Sequence, residues 1–200
     1  MNIIHPNKSL WFLFFLILFT QRANAQEEIN TTEKFALYTT VGNGLTGIIA
    51  YNNIFLDNLF YSPSLRILWK PNHLLNIGIE SAYLTVSKQD STLTTTPFGT
   101  TVLKARLNAI PLLLVFNMKF SKIDLYYGIG VSYVTSRLQA FEEKVVISNW
   151  YYCYDAAIAY SLPISRKINI GLEAKSYFFP KLQKISGGLV LNFSYRLLQW

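Results

Sequence analysis

Seven charged residues stand where apolar, polar and small residues otherwise alternate: Arg66, Glu80, Asp124, Asp155, Glu173, Lys175 and Arg196. Four are acids and three are bases, so together they nearly neutralise one another. Such a set supports one of two chemistries. It either relays protons or ions, or it forms a network of salt bridges that fills space. The remaining candidates are sparse. His73 follows Pro71 and Asn72 in a turn-like stretch, and a hydrolytic site would need it beside a serine nucleophile. A turn role is the plainer reading, because geometry comes before basicity in naming a base. Cys153 is alone, which excludes an intramolecular disulfide and reads as a small strand residue. No Cys/His cluster has zinc-site spacing. No catalytic, cofactor-binding or metal-binding residue is therefore expected, and no cofactor.

The elements that must position the seven charges are strands. In 187–200 (GGLVLNFSYRLLQW), Leu189, Leu191, Phe193, Tyr195 and Leu197 share one parity, opposite Asn192, Ser194 and Arg196. Successive strand side chains point to opposite faces, so this segment has an apolar face and a polar one. Trp200 falls out of phase with the apolar set. The same alternation marks 62–70, 74–87, 123–133, 149–161 and 167–178, and more weakly 33–42 and 102–118. The segment 123–133 (IDLYYGIGVSY) is the most regular of them. Pro111 lacks a ladder donor and predicts a bulge or an unpaired position.

These eight strands predict an all-β protein, an eight-stranded antiparallel up-and-down transmembrane barrel. Most are 9 residues or longer, the length a tilted transmembrane strand needs. Their connections alternate between short and long. Short turns are expected at 70–73, 119–121 and 162–166, and longer loops at 43–61, 88–101, 135–148 and 180–184. Bacterial outer-membrane barrels combine an even strand count with short periplasmic turns and longer outer loops. Both termini would then be periplasmic.

The apolar parity carries almost no charge, whereas the other carries all seven charged residues. A lysine or arginine facing lipid at mid-depth costs roughly 2–4 kcal/mol, so the charged parity is expected inward. An eight-stranded barrel is just wide enough to be filled by its own side chains. The interior charges thus read as a structural network, and a passive pore is disfavoured. Trp69, Tyr160 and Tyr195 at one edge, and Tyr83, Tyr133 and Tyr152 at the other, fit two interfacial aromatic girdles.

Residues 1–25 have the form of a secretory signal peptide: Lys8, an apolar core at 10–19 (LWFLFFLILF), and Ala23-Asn24-Ala25 as a cleavage site. Ten apolar residues are too few for a spanning helix, which needs about 20. The barrel domain is expected over 26–200. Without Lys8 and Arg22, 16 basic residues face 11 acidic ones, a net charge of +5. That balance favours anionic lipid headgroups as partners. With no basic stripe, nucleic acid is not an expected partner.

In these features the chain resembles the small OmpA/OmpX-like outer-membrane β-barrels, and in particular the outer-membrane β-barrel domain family. The segments that carry the resemblance are 107–116 (LNAIPLLLVF) and the Gly-rich 127–133 (YGIGVSY). The resemblance implies a non-enzymatic integral protein of a Gram-negative-type outer membrane. It would be inserted by the barrel-assembly machinery, would be a monomer, and would have a role in adhesion, ligand contact or envelope structure. Its partners would be outer-membrane lipids and an extracellular ligand at the loops. Two alternatives stand beside this reading. One is an outer-membrane lipid-modifying enzyme. The other is a secreted soluble barrel binding an apolar ligand, whose apolar parity would face inward.

Overall fold

The structure, a computed structural model, describes residues 35–49, 59–71, 75–95, 99–120, 122–140 and 143–199. The signal-peptide expectation for 1–25, His73 and Trp200 lie outside the described residues. The described chain is almost wholly strand: β1 (Phe35–Ile49), β2 (Phe60–Pro71), β3 (Leu75–Ala82), β4 (Leu84–Thr95), β5 (Gly99–Phe120), β6 (Ile123–Ala140), β7 (Glu143–Pro163), β8 (Ile168–Phe179) and β9 (Lys184–Gln199). One 3-10 turn, Pro180–Leu182, separates the last two.

Each strand of the wall pairs antiparallel with its neighbours, β9 returns to pair with β1, and β3 pairs with β5. The ring β1-β2-β3-β5-β6-β7-β8-β9 is therefore a closed eight-stranded barrel with no open edge around its wall. β4 continues β3 along β5 beyond that ring. Its register is unchanged across the break, with Ser81 opposite Leu112 and Leu84 opposite Ala109. The ladder lapses where Pro111 has no N–H to give, while on the other side the Tyr83 amide donates to the Pro63 carbonyl of β2 at 3.0 Å.

The loop expectations are corrected. The stretches 88–101 and 135–148, read as loops, are mostly strand, and 43–61 begins and ends in strand: β1 pairs with β9 out to Ile49, β4 and β5 pair out to Thr95 and Gly99, and β6 and β7 pair out to Ala140 and Glu143. Residues 136–139 and 143–147 are exposed on both parities, so the apolar alternation that signals a strand fades there while β propensity remains. The closing strand also changes phase. A bulge places Leu198 opposite Leu37 and Arg196 opposite Tyr38, leaving Leu197 as the extra residue.

The apolar parity faces outward. Leu65, Ile67, Ile79, Leu172 and Leu191 are exposed on the barrel wall, whereas Arg66, Glu80 and Glu173 between them are buried inside. On β6 the outward row runs from Ile123 to Tyr133. Ten residue steps at about 3.3 Å, tilted by roughly 40°, project to about 25 Å, the height of an outer-membrane apolar belt. Trp69, Tyr160 and Tyr195 are exposed on this wall, as are Tyr83, Tyr133 and Tyr152. Trp69 stacks on Phe35 (ring centroids 6.2 Å apart), and Tyr133 lies against Trp150 at 5.2 Å.

Candidate functional site

β8 measures depth inside the barrel, because its inward side chains are Glu173, Lys175, Tyr177 and Phe179 in ascending order. The first two meet charged partners from other strands. Arg66 and Glu80 are cross-strand partners on β2 and β3. The Arg66 Nε donates to Glu80 Oε2 at 2.6 Å, while its Nη1 and Nη2 donate to Glu173 at 3.1 and 2.8 Å. The planar guanidinium thus satisfies two carboxylates at once, the fork geometry that favours arginine over lysine here.

Lys175 completes the cluster. Its ammonium bonds Glu80 Oε1 and lies 2.9 Å from Asp155 and 3.5 Å from Glu173. Tyr177 donates to Glu80 Oε1 at 3.1 Å, Asn192 donates to Glu173 at 2.5 Å, and the Tyr126 ring lies 3.9 Å from the Arg66 guanidinium. None of the five charged residues is more than 4% exposed. Charges so far from water are tolerable only when paired and hydrogen-bonded.

The other two charged candidates lie apart. Asp124 accepts from Ser161 at 2.9 Å and from Asn117 at 3.5 Å, and Asn117 accepts from Asn76 at 2.6 Å. Arg196 donates to the Tyr38 hydroxyl at 2.9 Å and also bonds Gln199. Both residues sit toward the rim that holds the short turns and the final residues of β9.

Above the charged layer the interior becomes apolar. Ala82, Leu84, Val86, Ala109, Leu113, Val115, Val134, Cys153, Tyr177 and Phe179 form one buried cluster, with Leu182 packed against it from the 3-10 turn. Sequence parity places Tyr126, Tyr177 and Asn192 inward but gives no sign that they meet the charged layer. Phe179 lies beside an expected loop and Leu84 is an apolar residue on the otherwise polar parity of 74–87, so nothing local identifies this plug.

Beyond the wall, β4, β5, β6 and β7 continue as a projecting four-stranded sheet. β7 pairs with β8 only from Tyr154 onward, so 143–153 has a strand partner on one side only among the described residues. Val145, Val146, Ile147 and Trp150 are exposed on that segment. Among the described residues no group of His, Cys, Asp and Glu is arranged to hold a metal ion.

No protein-family model matches the chain, and no curated protein matches it in sequence. Solved structures match it in shape. Neisserial surface protein A is 11% identical, with a TM-score of 0.50 over 82% of this chain and 97% of that one. A major outer membrane protein from Thermus thermophilus is 10% identical, with a TM-score of 0.53 over 82% of this chain and 99% of that one. The chain has the fold of a small outer-membrane β-barrel.

Proposed function

We propose that this chain is a non-enzymatic integral outer-membrane protein of a Gram-negative-type bacterium, whose closed barrel holds the β4–β7 sheet outside the cell as a contact surface for adhesion or ligand binding. One observation carries the proposal: the wall is apolar outward while its charges are buried inward. In water that arrangement would expose a belt far larger than the apolar patch a soluble monomer carries, which rarely exceeds about 600 Å². In lipid it is the lower-energy arrangement. A soluble lipocalin-like carrier would need Leu65, Ile79 and Leu191 inside, yet all three face outward.

The interior supports an anchor more than a conduit, because the charged layer and the apolar cluster above it both lie across the lumen. The contact role rests on the projecting sheet, whose exposed Val145 and Ile147 are available to a partner. Outer-membrane lipid surrounds the belt, the barrel-assembly machinery inserts the chain, and it works as a monomer, with no strand edge left open within the closed wall. The test is electrophoresis of protein from the outer-membrane fraction, boiled and unboiled. A band that changes mobility on heating is expected. Recovery in the soluble fraction with no heat-dependent band would overturn the membrane reading.

A further inference from the structure

The outward face of the projecting sheet holds a concentration of positive charge that the barrel itself does not use. Lys104, Arg106, Arg137, Gln139 and Lys144 line a cleft of about 290 Å³. The register explains how residues far apart in sequence converge. Arg106 is directly opposite Arg137, and Gln139 stands between Lys104 and Lys144. Like charges directly opposite each other on one sheet face are destabilising. Neither arginine is offset by an acid: Lys104, Arg106, Arg137 and Lys144 make no ion pair among the described residues, and the nearby Asp90 is paired with Lys88 at 3.7 Å.

Position points to the counter-ion. Arg137 shares the outward parity of Tyr133 on β6 and lies four residues farther out. At about 3.3 Å per residue and roughly 40° of tilt, that is about 10 Å beyond the outer aromatic row. The cationic face therefore stands above lipid-facing wall, at the level of the headgroups and on the side that they approach. Arginine pairs recognise phosphate through forked, charge-assisted hydrogen bonds. We propose that this cleft binds the phosphate groups of an outer-leaflet glycolipid, clamping a headgroup between Arg106 and Arg137 with Lys104 and Lys144 flanking it. This inference rests on the membrane placement of the belt.

The test uses the full chain folded in uncharged detergent micelles. It is titrated with bis-phosphorylated lipid A, with lipid A stripped of both phosphates, and with inorganic phosphate as competitor. Binding of the phosphorylated lipid is expected, weakening as salt rises because the contact is exposed. The dephosphorylated lipid and the Arg106→Gln/Arg137→Gln variant should each bind about tenfold more weakly, the loss of a charge-assisted contact. Both arginines are exposed, so the variant should keep its heat-dependent mobility. Three results would overturn the proposal: undiminished binding by the variant, equal binding of the dephosphorylated lipid, or full displacement by millimolar inorganic phosphate, which would indicate a small-anion site. A missing heat shift in the unaltered protein would instead indict the membrane reading itself.

Discussion

Arg66 on β2 and Glu173 on β8 meet across the lumen through two parallel hydrogen bonds of 2.8 and 3.1 Å, although β1 and β9 separate their strands in the wall. This contact ties separate parts of the barrel wall together. Removing one partner of such a pair leaves a buried charge uncompensated, typically at a cost of about 3–5 kcal/mol. Arg66→Met should therefore lower the unfolding free energy measured in urea by that amount, since Glu80 and Glu173 would keep only Lys175 as a cationic partner. Arg66→Met combined with Glu173→Leu should be less destabilised than Arg66→Met alone. Equal loss in both would mean that the bidentate contact is not what Arg66 contributes.

Gly128 is set by the same layer. A Cβ built there would fall on the Asp155 carboxylate, the group that faces Lys175 at 2.9 Å. Gly128→Ala should cost about 1–3 kcal/mol, the usual penalty of overpacking. In an Asp155→Ala background most of that penalty should vanish. A double-mutant cycle with no coupling between the two positions would contradict the assignment.

Lipid depth makes a third prediction. Ile129 faces outward at mid-belt, between Leu114 and Tyr154 on the neighbouring strands. Ile129→Arg should destabilise the barrel in bilayers by roughly 2–4 kcal/mol, whereas Val146→Arg on the projecting sheet should cost at most about 1 kcal/mol. Folding titrations into lipid vesicles would read the difference. Similar costs at the two positions would be incompatible with a membrane belt around Ile129.

Two stacked layers obstruct the lumen, so one can be opened without the other. Phe179→Ala should cost about 3–5 kcal/mol by leaving a cavity in the apolar cluster. It should nevertheless show no channel steps in planar bilayers, because the Arg66–Glu173 layer beneath remains. Steady conductance from the unaltered protein would refute the closed-interior reading outright.

The strand wall was legible in the sequence because burial alternates with the pleat. Ile123 to Tyr133 could be sorted into two faces without any knowledge of their neighbours. The outer parts of β5, β6 and β7 were not legible for the converse reason. Residues such as Arg137, Lys144, Val145 and Val146 are exposed whichever face they take, and no period is imposed on them. The break at Pro111 is legible in its missing donor, but that β3 and β4 lie end to end along β5 across it required the paired strands to be seen.

By itself the sequence determined which side chains share a face, since strand parity is a local property fixed by backbone geometry. It thereby separated Arg66, Glu80, Asp124, Asp155, Glu173, Lys175 and Arg196 from the apolar wall. Only the tertiary structure decided which of them meet. Register and closure bring Arg66, Glu80, Asp155, Glu173 and Lys175 to one level, and leave Asp124 with Asn117 and Ser161 and Arg196 with Tyr38. The same pairing of strands sets Arg106 opposite Arg137. Contacts of that kind depend on how strands are staggered against one another, and no single strand carries that information.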